Sequence, residues 1–309
     1  MPDPAAVFEF VRDRFISLVD RGETYVFLVP IYVLMLGGEG LAHGLMTRRP
    51  WDHRDGAANL VITGADLLRD AVFATVLPLG LLALLYRHAR LLTLPGGITG
   101  LLIAFVLYDL TWYVDHRIAH RTGLFWAFHS VHHSSREFNF TVASRGFVLD
   151  QVLTRPMFYL LPICGVSPFQ YIAVQIFTNI FGIFQHTRLI KRLGPLEWLL
   201  ATPSNHRVHH GADPEYLDRN YGEVLIVWDR LFGTYTPEGP EPTFGLTKNI
   251  GTYNPIWIEL AGIAWLMERV RSAGRLADRV ACLYRPPEWR PEAAVATAAG
   301  DRAGATTST

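Results

Sequence analysis

Residues 156–185 read PMFYLLPICGVSPFQYIAVQIFTNIFGIFQ and contain no charged side chain. An apolar run of this length is typical of helix in lipid, because only helices and closed barrels satisfy their backbone hydrogen bonds there, and barrel strands are much shorter. The segment GVSP at 165–168 interrupts the run near its middle. Helix over the whole run reaches about 45 Å, too short for two crossings of a hydrocarbon core about 30 Å thick. We therefore predict a bent, shallow helical hairpin.

Three further apolar stretches precede this one, at 24–46, 59–86 and 96–115. Half of the chain is hydrophobic and only 18% is charged, a balance typical of membrane proteins with sizeable polar parts. The sequence therefore predicts an all-α, integral-membrane helical bundle over residues 24–285, with about four spanning segments if the hairpin is counted as one.

Both ends of the chain differ from this bundle. Residues 1–23 carry apolar side chains at helical spacing, which predicts an interfacial amphipathic helix or, equally, a helix packed on the body of the protein. Residues 286–309 become rich in Ala and Thr, a composition that cannot build a core, and we predict a disordered tail.

Charge and cysteine content exclude several classes of protein. The formal net charge is zero, so no long-range field attracts nucleic acid, and we expect no nucleic-acid partner. The two cysteines, Cys164 and Cys282, are far apart and form no metal or redox motif.

Histidine is the residue that points to chemistry. Nine of the twelve histidines lie between positions 116 and 210, in an HxxxH motif, two HxxHH motifs and one isolated position. Residues three and four apart share one face of a helix, so we expect each motif to point its imidazoles in one direction. The nine candidate metal ligands are His116, His120, His129, His132, His133, His186, His206, His209 and His210.

The number of histidines favours two metal ions. Eight or nine nitrogen ligands are too many for one tetrahedral zinc but suit two metals with about four ligands each. A zinc membrane hydrolase is an alternative, although its usual HExxH motif is absent from the sequence. A haem-binding or metal-transporting membrane protein is another, although its histidines would lie within the spans.

The motifs supply no carboxylate, so acids behind the ligands are expected to orient the imidazoles and balance the metal charge. Asp109 lies on the same helical face as His116, and Asp115 is adjacent to that histidine. The other candidates for this supporting role are Asp150, Asn205, Asp213, Asn220, Tyr221 and Asp229.

The segments DLTWYVDHRIAH (109–120), LFWAFHSVHHSSREFNFT (124–141) and TPSNHRVHHG (202–211) resemble the fatty acid hydroxylase/sterol desaturase superfamily. Its signature is HxxxH, HxxHH and HxxHH in this order. The segments FQHT (184–187) and NYG to WDRLFGT (220–234) are most similar to the branch that contains alkylglycerol monooxygenase and bacterial sterol-desaturase-like proteins. That enzyme has a glutamate directly after HxxxH where this chain has Arg121, which argues against an identical ether-lipid activity and its pterin dependence.

The resemblance implies a di-iron enzyme that uses O2 to hydroxylate or desaturate a lipid. It assigns the eight motif histidines to the irons and matches His186 to a further histidine of the family. No GxGxxG or flavin motif is evident, so a separate reductase or small redox carrier is expected to supply electrons. We predict substrate contacts at Trp112 and Trp126. Arg145 and Arg207 are expected either to hold a lipid head group or to fix the acids that support the ligands. Phe128 and Phe138 are further candidates for the lipid path.

Arginine and lysine predict the orientation in the membrane. Residues 116–155 contain five arginines and 187–254 contain seven basic residues, whereas the loop 87–94 has only Arg87 and Arg90. The positive-inside rule then places the histidine motifs in a cytoplasmic cap of a protein of the bacterial inner membrane or its equivalent.

Overall fold

The computed structural model describes residues 25–47, 49–69, 77–150 and 155–290 of the 309. Within these ranges the chain is helical, as the sequence predicts, with turns and two isolated β-bridges but no β-strand. The helices are α1 (Tyr25–Met46), α2 (His53–Arg69), α3 (Leu77–His88), α4 (Gly97–Arg121), α5 (Gly123–His133), α6 (Leu160–Ile163), α7 (Pro168–Gln185), α8 (Pro203–His209), α9 (Val227–Phe232), α10 (Pro255–Ser272) and α11 (Leu276–Tyr284). Short 3-10 helices cover Val142–Ser144, Pro156–Tyr159 and Gly194–Trp198.

Two of the described helices are long and apolar enough to cross a membrane, within α1 (Val29–Met46) and over α4 (Gly97–Arg121). The apolar side chains of α1 face outward, with Leu34 74% and Leu45 78% exposed. Such a surface is costly in water and favourable in lipid. The sequence predicted about four spanning segments. The second predicted segment, 59–86, contains most of α2 and α3. These helices are 17 and 12 residues long, which is too short to cross a membrane.

The uncharged run 156–185 is broken where GVSP lies. Its first part forms a 3-10 turn and α6, and its second part forms α7. Gly165 occupies the turn with φ +95°, in the left-handed region that favours glycine, and a Cβ there would lie 2.6 Å from the Leu92 carbonyl oxygen. Ser167 and Gln170 then form a capping box that begins α7.

Helix α4 carries the first histidines and is fixed by a buried aromatic core. The Tyr108 ring lies 4.9 Å from that of Phe158 and 5.4 Å from that of Tyr171, on α7. Leu161 and Val174 belong to the same cluster. This packing holds the middle of α4, so its last two turns are presented to the loops that follow α7.

Helix α5, which carries the first HxxHH motif, packs closely against α10. A Cβ on Gly262 of α10 would overlap the Ala127 carbonyl oxygen and lie 2.6 Å from Ser130 Oγ. Val131 and Ile258 are buried in the same contact. Because Ala127, Ser130 and Val131 face α10, the histidines of α5 are turned toward the rest of the bundle.

The predictions for the two ends have different outcomes. The helix predicted for 1–23 lies outside the described residues, as does 291–309 of the predicted tail. Residues 286–290 are described and are tied to α10, because Arg269 Nη2 donates to the Pro286 and Trp289 carbonyls at 2.8 and 2.9 Å. The ordered part of the chain therefore continues past the boundary predicted at 286.

Candidate metal centre

The nine predicted ligands lie together in two adjacent groups. The first group has five members, His116, His120, His129, His133 and His209, and the second has four, His132, His186, His206 and His210. In each group the candidate ligand nitrogens lie within 4.8 Å of one another. The groups touch where His133 stacks on His210 with ring centroids 4.3 Å apart.

The HxxHH motifs do not each point in one direction, contrary to the expectation from helical spacing. His129 and His133, four residues apart, enter the first group, whereas His132 enters the second. The other HxxHH motif does the reverse: His206 and His210 enter the second group and His209 enters the first. Successive helical residues are turned by about 100°, so the middle histidine of each motif, His132 or His209, reaches across to the other group.

In the second group, two imidazoles are oriented with their lone pairs facing. His132 Nδ1 donates to the Arg145 carbonyl at 2.9 Å, and His186 Nδ1 donates to the Gly182 carbonyl at 2.7 Å. A neutral imidazole with its proton on Nδ1 has a lone pair on Nε2. The two Nε2 atoms are 3.3 Å apart, and His206 Nε2 lies 3.0 Å from that of His186. Converging lone pairs of this kind are what a cation requires.

The first group follows the same pattern. His116 Nδ1 donates to the Tyr221 carbonyl at 2.8 Å, and His209 Nδ1 donates to the Arg219 carbonyl at 2.9 Å. The Nε2 atom of His116 then faces that of His129 at 3.0 Å. Nε2 of His209 is buried and has no hydrogen-bond partner.

Protons are poor candidates for the cation. Burial lowers the pKa of His132 to about 4, and burial together with neighbouring imidazoles lowers the pKa of His206 and His210. Near neutral pH these rings are uncharged and keep their lone pairs. Desolvated neutral imidazoles with fixed tautomers are a donor set that fits divalent transition metals.

Asp229 supports this donor set through the backbone. Its carboxylate accepts the N–H groups of Tyr221 and Gly222, each at 2.8 Å, and the Thr234 hydroxyl at 2.6 Å. The Tyr221 carbonyl is the acceptor for His116. Asp229 therefore reaches the ligand through one peptide unit, while the Tyr221 ring packs 5.2 Å from that of His120.

Asp109 does not touch an imidazole. Its carboxylate accepts the N–H groups of Val224 and Leu225 at 2.9 and 3.2 Å and the Trp228 indole N–H at 2.8 Å. It is fully buried. Asp109 thus holds residues 224–228, and the supporting role predicted for it would act on His116 only through this segment.

Asn205 and Asn220 tie loops together. Asn220 Nδ2 donates to the Asn205 and Thr236 carbonyls, and its Oδ1 accepts the Thr236 N–H at 2.8 Å. Asn205 donates to the Leu200 carbonyl. Neither amide hydrogen-bonds an imidazole, so the support expected from them acts through the loop.

Of the remaining acidic candidates, Asp115 and Asp150 lie beside the first histidine group, whereas Asp213 holds a loop. Asp115 lines a small cavity beside His116 and His129, together with Asp150. Asp213 instead accepts the Thr243 N–H at 2.6 Å.

Arg145 is buried and pairs with an acid, which favours the second of the two roles predicted for it over a head-group contact. Only 2% of it is exposed. Its guanidinium donates to Asp55 at 3.1 Å, to Asn59 at 2.8 Å and to Ser134 at 2.7 Å. These bonds join α2 to the end of α5 and hold the carbonyl that accepts His132. No N–H of Arg145 is turned toward a ligand space.

Arg207 is also buried and paired with an acid. It is 1% exposed and forms a bidentate pair with Glu238 at 2.6 and 2.7 Å. Its Nη1 donates to the Thr187 and Ile190 carbonyls at 2.8 and 2.7 Å. Because Thr187 follows His186, Arg207 links the second HxxHH motif to the segment that carries the isolated histidine.

A cavity of about 890 Å³ borders both histidine groups. His120, His133 and His209 of the first group and His210 of the second line it. Its walls are partly apolar, and its exposed charged residues have both signs. The wall residues include Trp126, Val131, Ile258, Ala261 and Trp265, and the exposed charged ones include Lys248, Glu268, Glu288 and Arg290.

The predicted substrate residues lie at two different places. The Trp126 ring lines the large cavity and lies 5.1 Å from that of His120. Trp112 lines the small cavity of about 30 Å³, where the Arg155 guanidinium lies 4.4 Å from its ring centroid. A volume of that size holds about one water molecule. Trp126 is therefore placed to contact a large ligand, and Trp112 is packed.

The two phenylalanines proposed for the lipid path are packing residues. Phe138 is 2% exposed and stacks on Phe244 at 4.7 Å while its ring also lies 5.2 Å from that of His210. Phe128 packs on Phe147, with ring centroids 4.7 Å apart.

Among the described residues, Asp218 lies within ion-pair range of a clustered imidazole, and no sequence motif indicates this contact. Its Oδ1 lies 3.6 Å from His120 Nδ1, and its Oδ2 lies 2.6 Å from Arg121 Nη1. The sequence separates it from His120 by almost a hundred positions, so no motif spacing could have indicated the contact.

The family model for fatty acid hydroxylases matches residues 101–234, a range that includes all nine clustered histidines. The candidate metal centre therefore lies inside the stretch that matches the fatty acid hydroxylase family. The resemblance predicted from the histidine motifs is thereby confirmed.

Curated relatives agree with this match. The chain is 40% identical over 191 residues to alkylglycerol monooxygenase of Danio rerio. The aligned residues cover 61% of this chain and 42% of the relative. It is 30% identical over 263 residues to the Homo sapiens alkylglycerol monooxygenase, covering 85% and 59%. An ornithine lipid hydroxylase of Rhizobium tropici is 30% identical over 154 residues, covering 48% and 46%.

The chain spans about half the length of these curated relatives. No solved structure gives a significant match to it.

Proposed function

We propose that this chain is an O2-dependent, iron-containing membrane oxygenase that hydroxylates a C–H bond of a lipid. The observation that carries the proposal is the pair of adjacent histidine groups with converging Nε2 lone pairs. The match to the fatty acid hydroxylase family and the names of the relatives, alkylglycerol monooxygenase and ornithine lipid hydroxylase, support the reaction class and the substrate class.

One metal ion would be held by each group of histidines. Imidazole ligands suit iron, zinc, copper and nickel, and the reaction class requires a redox-active ion, which favours iron. When bound, two irons would supply the reduction of O2 and the oxidation of the C–H bond. The overall balance is that the lipid and O2 take up two electrons and two protons to give the hydroxylated lipid and water.

The protein's own part is to keep the ligands unprotonated and in place. Backbone carbonyls hold the Nδ1 protons of four imidazoles, two in each group, so their Nε2 lone pairs are fixed toward the group. Seven of the nine histidines are less than 9% exposed, which limits access of bulk water. A fixed and dry donor set of this kind supports metal-centred oxidation.

The large cavity is the proposed site of the lipid. An amphiphile would place its apolar part against the Trp126 and Ile258 walls, near the histidines of both groups, and its polar part near the exposed charges. Desaturation of the same lipid is the alternative outcome. The two are separated by the product, which gains an oxygen atom in one case and loses two hydrogen atoms in the other.

Two further proposals concern the surroundings of the enzyme. A separate reductase or small redox carrier would deliver the two electrons, because the sequence has no nucleotide-binding motif of its own. The histidine groups would face the cytoplasm from the bacterial inner membrane or its equivalent, as the distribution of basic residues favours.

Metal analysis of the purified full chain in detergent tests the proposal. About two irons per chain are expected, and incubation with O2, a chemical reductant and membrane lipids should give a hydroxylated lipid. One zinc per chain, which a hydrolase would hold, or haem absorbance would overturn it. Lipid profiles of cells with and without the gene would then identify the substrate.

A further inference from the structure

His120 differs from the other ligands in what holds its second ring nitrogen. Four histidines direct Nδ1 to a backbone carbonyl, at 2.7–2.9 Å. His120 Nδ1 instead faces a carboxylate oxygen of Asp218 at 3.6 Å. This separation is longer than a hydrogen bond but within ion-pair range. A carbonyl contributes only a dipole, whereas a carboxylate brings a full negative charge beside the ligand.

Arg121 fixes this carboxylate from the other side. Its Nη1 lies 2.6 Å from Asp218 Oδ2 and 3.3 Å from Glu288 Oε1. Because Arg121 directly follows His120, the last residues of α4 contact both oxygens of one aspartate. The pair thus joins the end of α4 to the loop after α8.

The turn at Asp218 and Arg219 contacts two candidate ligands, His120 and His209. Asp218 has φ +58°, in the left-handed region that aspartate and asparagine tolerate better than most residues. The next residue, Arg219, supplies the carbonyl that accepts His209 Nδ1 at 2.9 Å. This turn therefore holds one ligand of the first group by a side chain and another by the main chain.

The contact lies on the wall of the large cavity. Both His120 and Asp218 line it, and the Asp218 side chain is 33% exposed whereas that of His120 is 6% exposed. The carboxylate is partly hydrated, so its influence on His120 is that of a nearby, partly screened charge.

We propose that Asp218 is a positioning residue for the metal centre. It orients His120, keeps the proton of that ring on Nδ1 and places a negative charge beside a donor set that is otherwise neutral. The proposal rests on the proposed metal-binding function. A carboxylate behind a ligand histidine raises the basicity of that ligand, and its removal commonly weakens metal retention about 10–100-fold.

Asp218→Asn is the decisive variant, because asparagine keeps the side-chain shape and tolerates the left-handed backbone. Glu288→Gln is the matched control: it removes the other acidic partner of Arg121, and the Glu288 side chain is 62% exposed. Both variants are compared with the unaltered holoprotein in detergent. The readouts are metal per chain and the rate of metal release to a chelator.

We expect metal release from Asp218→Asn to be about 10-fold faster or more and Glu288→Gln to match the unaltered protein. Arg121→Gln should lie between them, because it frees the carboxylate without removing it. Equal release rates in all four proteins would overturn the proposal. An equal loss in Glu288→Gln would also do so, because the effect would then belong to the surface charge.

Thermal unfolding of the metal-free proteins separates positioning from folding. Asp218→Asn is expected to unfold within a few degrees of the unaltered chain; if it does not fold, Arg121→Gln decides the proposal by the same release measurement. The comparison uses whichever metal the purified chain retains. Recovery of zinc would therefore overturn the oxygenase proposal but still decide the role of Asp218.

Discussion

Asp229 accepts the Tyr221 backbone N–H at 2.8 Å, while the carbonyl of the same Tyr221 accepts Nδ1 of His116, also at 2.8 Å. A buried carboxylate and a candidate ligand are thus joined through one residue's main chain. The arrangement transmits the position of α9 to the end of α4, which are more than a hundred residues apart in sequence.

Asp229→Asn should loosen this connection. An amide has one acceptor oxygen in place of the two that bind Tyr221, Gly222 and Thr234, so at least one buried donor loses its partner. We expect a loss of roughly 1–3 kcal/mol in the free energy of unfolding and faster metal release. Thermal unfolding and chelator competition measure the two effects. Glu215→Gln is the control, because Glu215 is an exposed acid of the loop after α8; a metal loss as large as that of Asp229→Asn would contradict this account.

His186→Ala should remove about one of two metal ions and leave the other. His186 belongs to the group of four, and its Nε2 lies next to those of His132 and His206. Elemental analysis of the purified variant measures the stoichiometry. His88→Ala, an exposed histidine outside both groups, should retain the full content. Full occupancy in His186→Ala would remove that residue from the ligand set.

Acid should destabilise the metal-free protein. Burial lowers the pKa of His132 to about 4, whereas an unfolded histidine has a pKa of about 6.5. Between these values the unfolded state binds more protons, so the free energy of unfolding falls as the pH drops from about 6.5 toward 4. His132 alone would contribute up to about 3 kcal/mol, present in full above pH 6.5.

Denaturant unfolding of the metal-free chain at several pH values between 5 and 7.5 tests this. His132→Gln should show a shallower dependence on pH, because it removes one of the titrating rings. A free energy of unfolding that does not change over this range would contradict the assignment of buried, neutral imidazoles.

Gly262→Ala should disturb the contact between α5 and α10. The added Cβ would overlap the Ala127 carbonyl oxygen, which is backbone and cannot move aside cheaply. A cost of about 1–3 kcal/mol in stability is expected, with weaker metal binding because α5 carries three ligands. Gly146→Ala is the matched control, since nothing lies within 4 Å of its added Cβ. Equal melting temperatures for the two variants would refute the close approach.

Ala261→Phe should narrow the large cavity without touching a histidine. Ala261 lines the cavity on α10, whereas Ala264 on the same helix is exposed and does not line it. We expect a several-fold higher KM for the lipid in Ala261→Phe with unchanged metal content. Ala264→Phe should behave like the unaltered enzyme. An unchanged KM in Ala261→Phe would place the lipid elsewhere.

Most of the candidate metal ligands could be predicted from the sequence, because they occur in motifs with short local spacing. HxxxH and HxxHH are short local patterns, and their order was enough to indicate the family and eight of the nine candidate ligands. The uncharged run at 156–185 likewise indicated a helical protein whose chain turns near Gly165.

Residues outside such patterns were assigned less well. Arg145 and Arg207 looked like surface cations available to a lipid, yet each is buried among carbonyls and carboxylates that come from distant segments. The sequence does not indicate the role of Asp218, because its contact with His120 depends on how a loop packs against the end of α4. Long-range pairing of this kind leaves no period in the sequence.

The sequence by itself determined the candidate ligands: helical spacing and residue type indicate the eight motif histidines, and the family resemblance adds His186. Only the tertiary structure decided how they divide: His132 and His133 are neighbours in the chain but enter different groups, as do His209 and His210. The physical reason is the turn of about 100° between successive helical residues, which sends adjacent side chains to different sides of a helix end. The packing of α4, α7 and α8 then fixes which partners each side chain contacts.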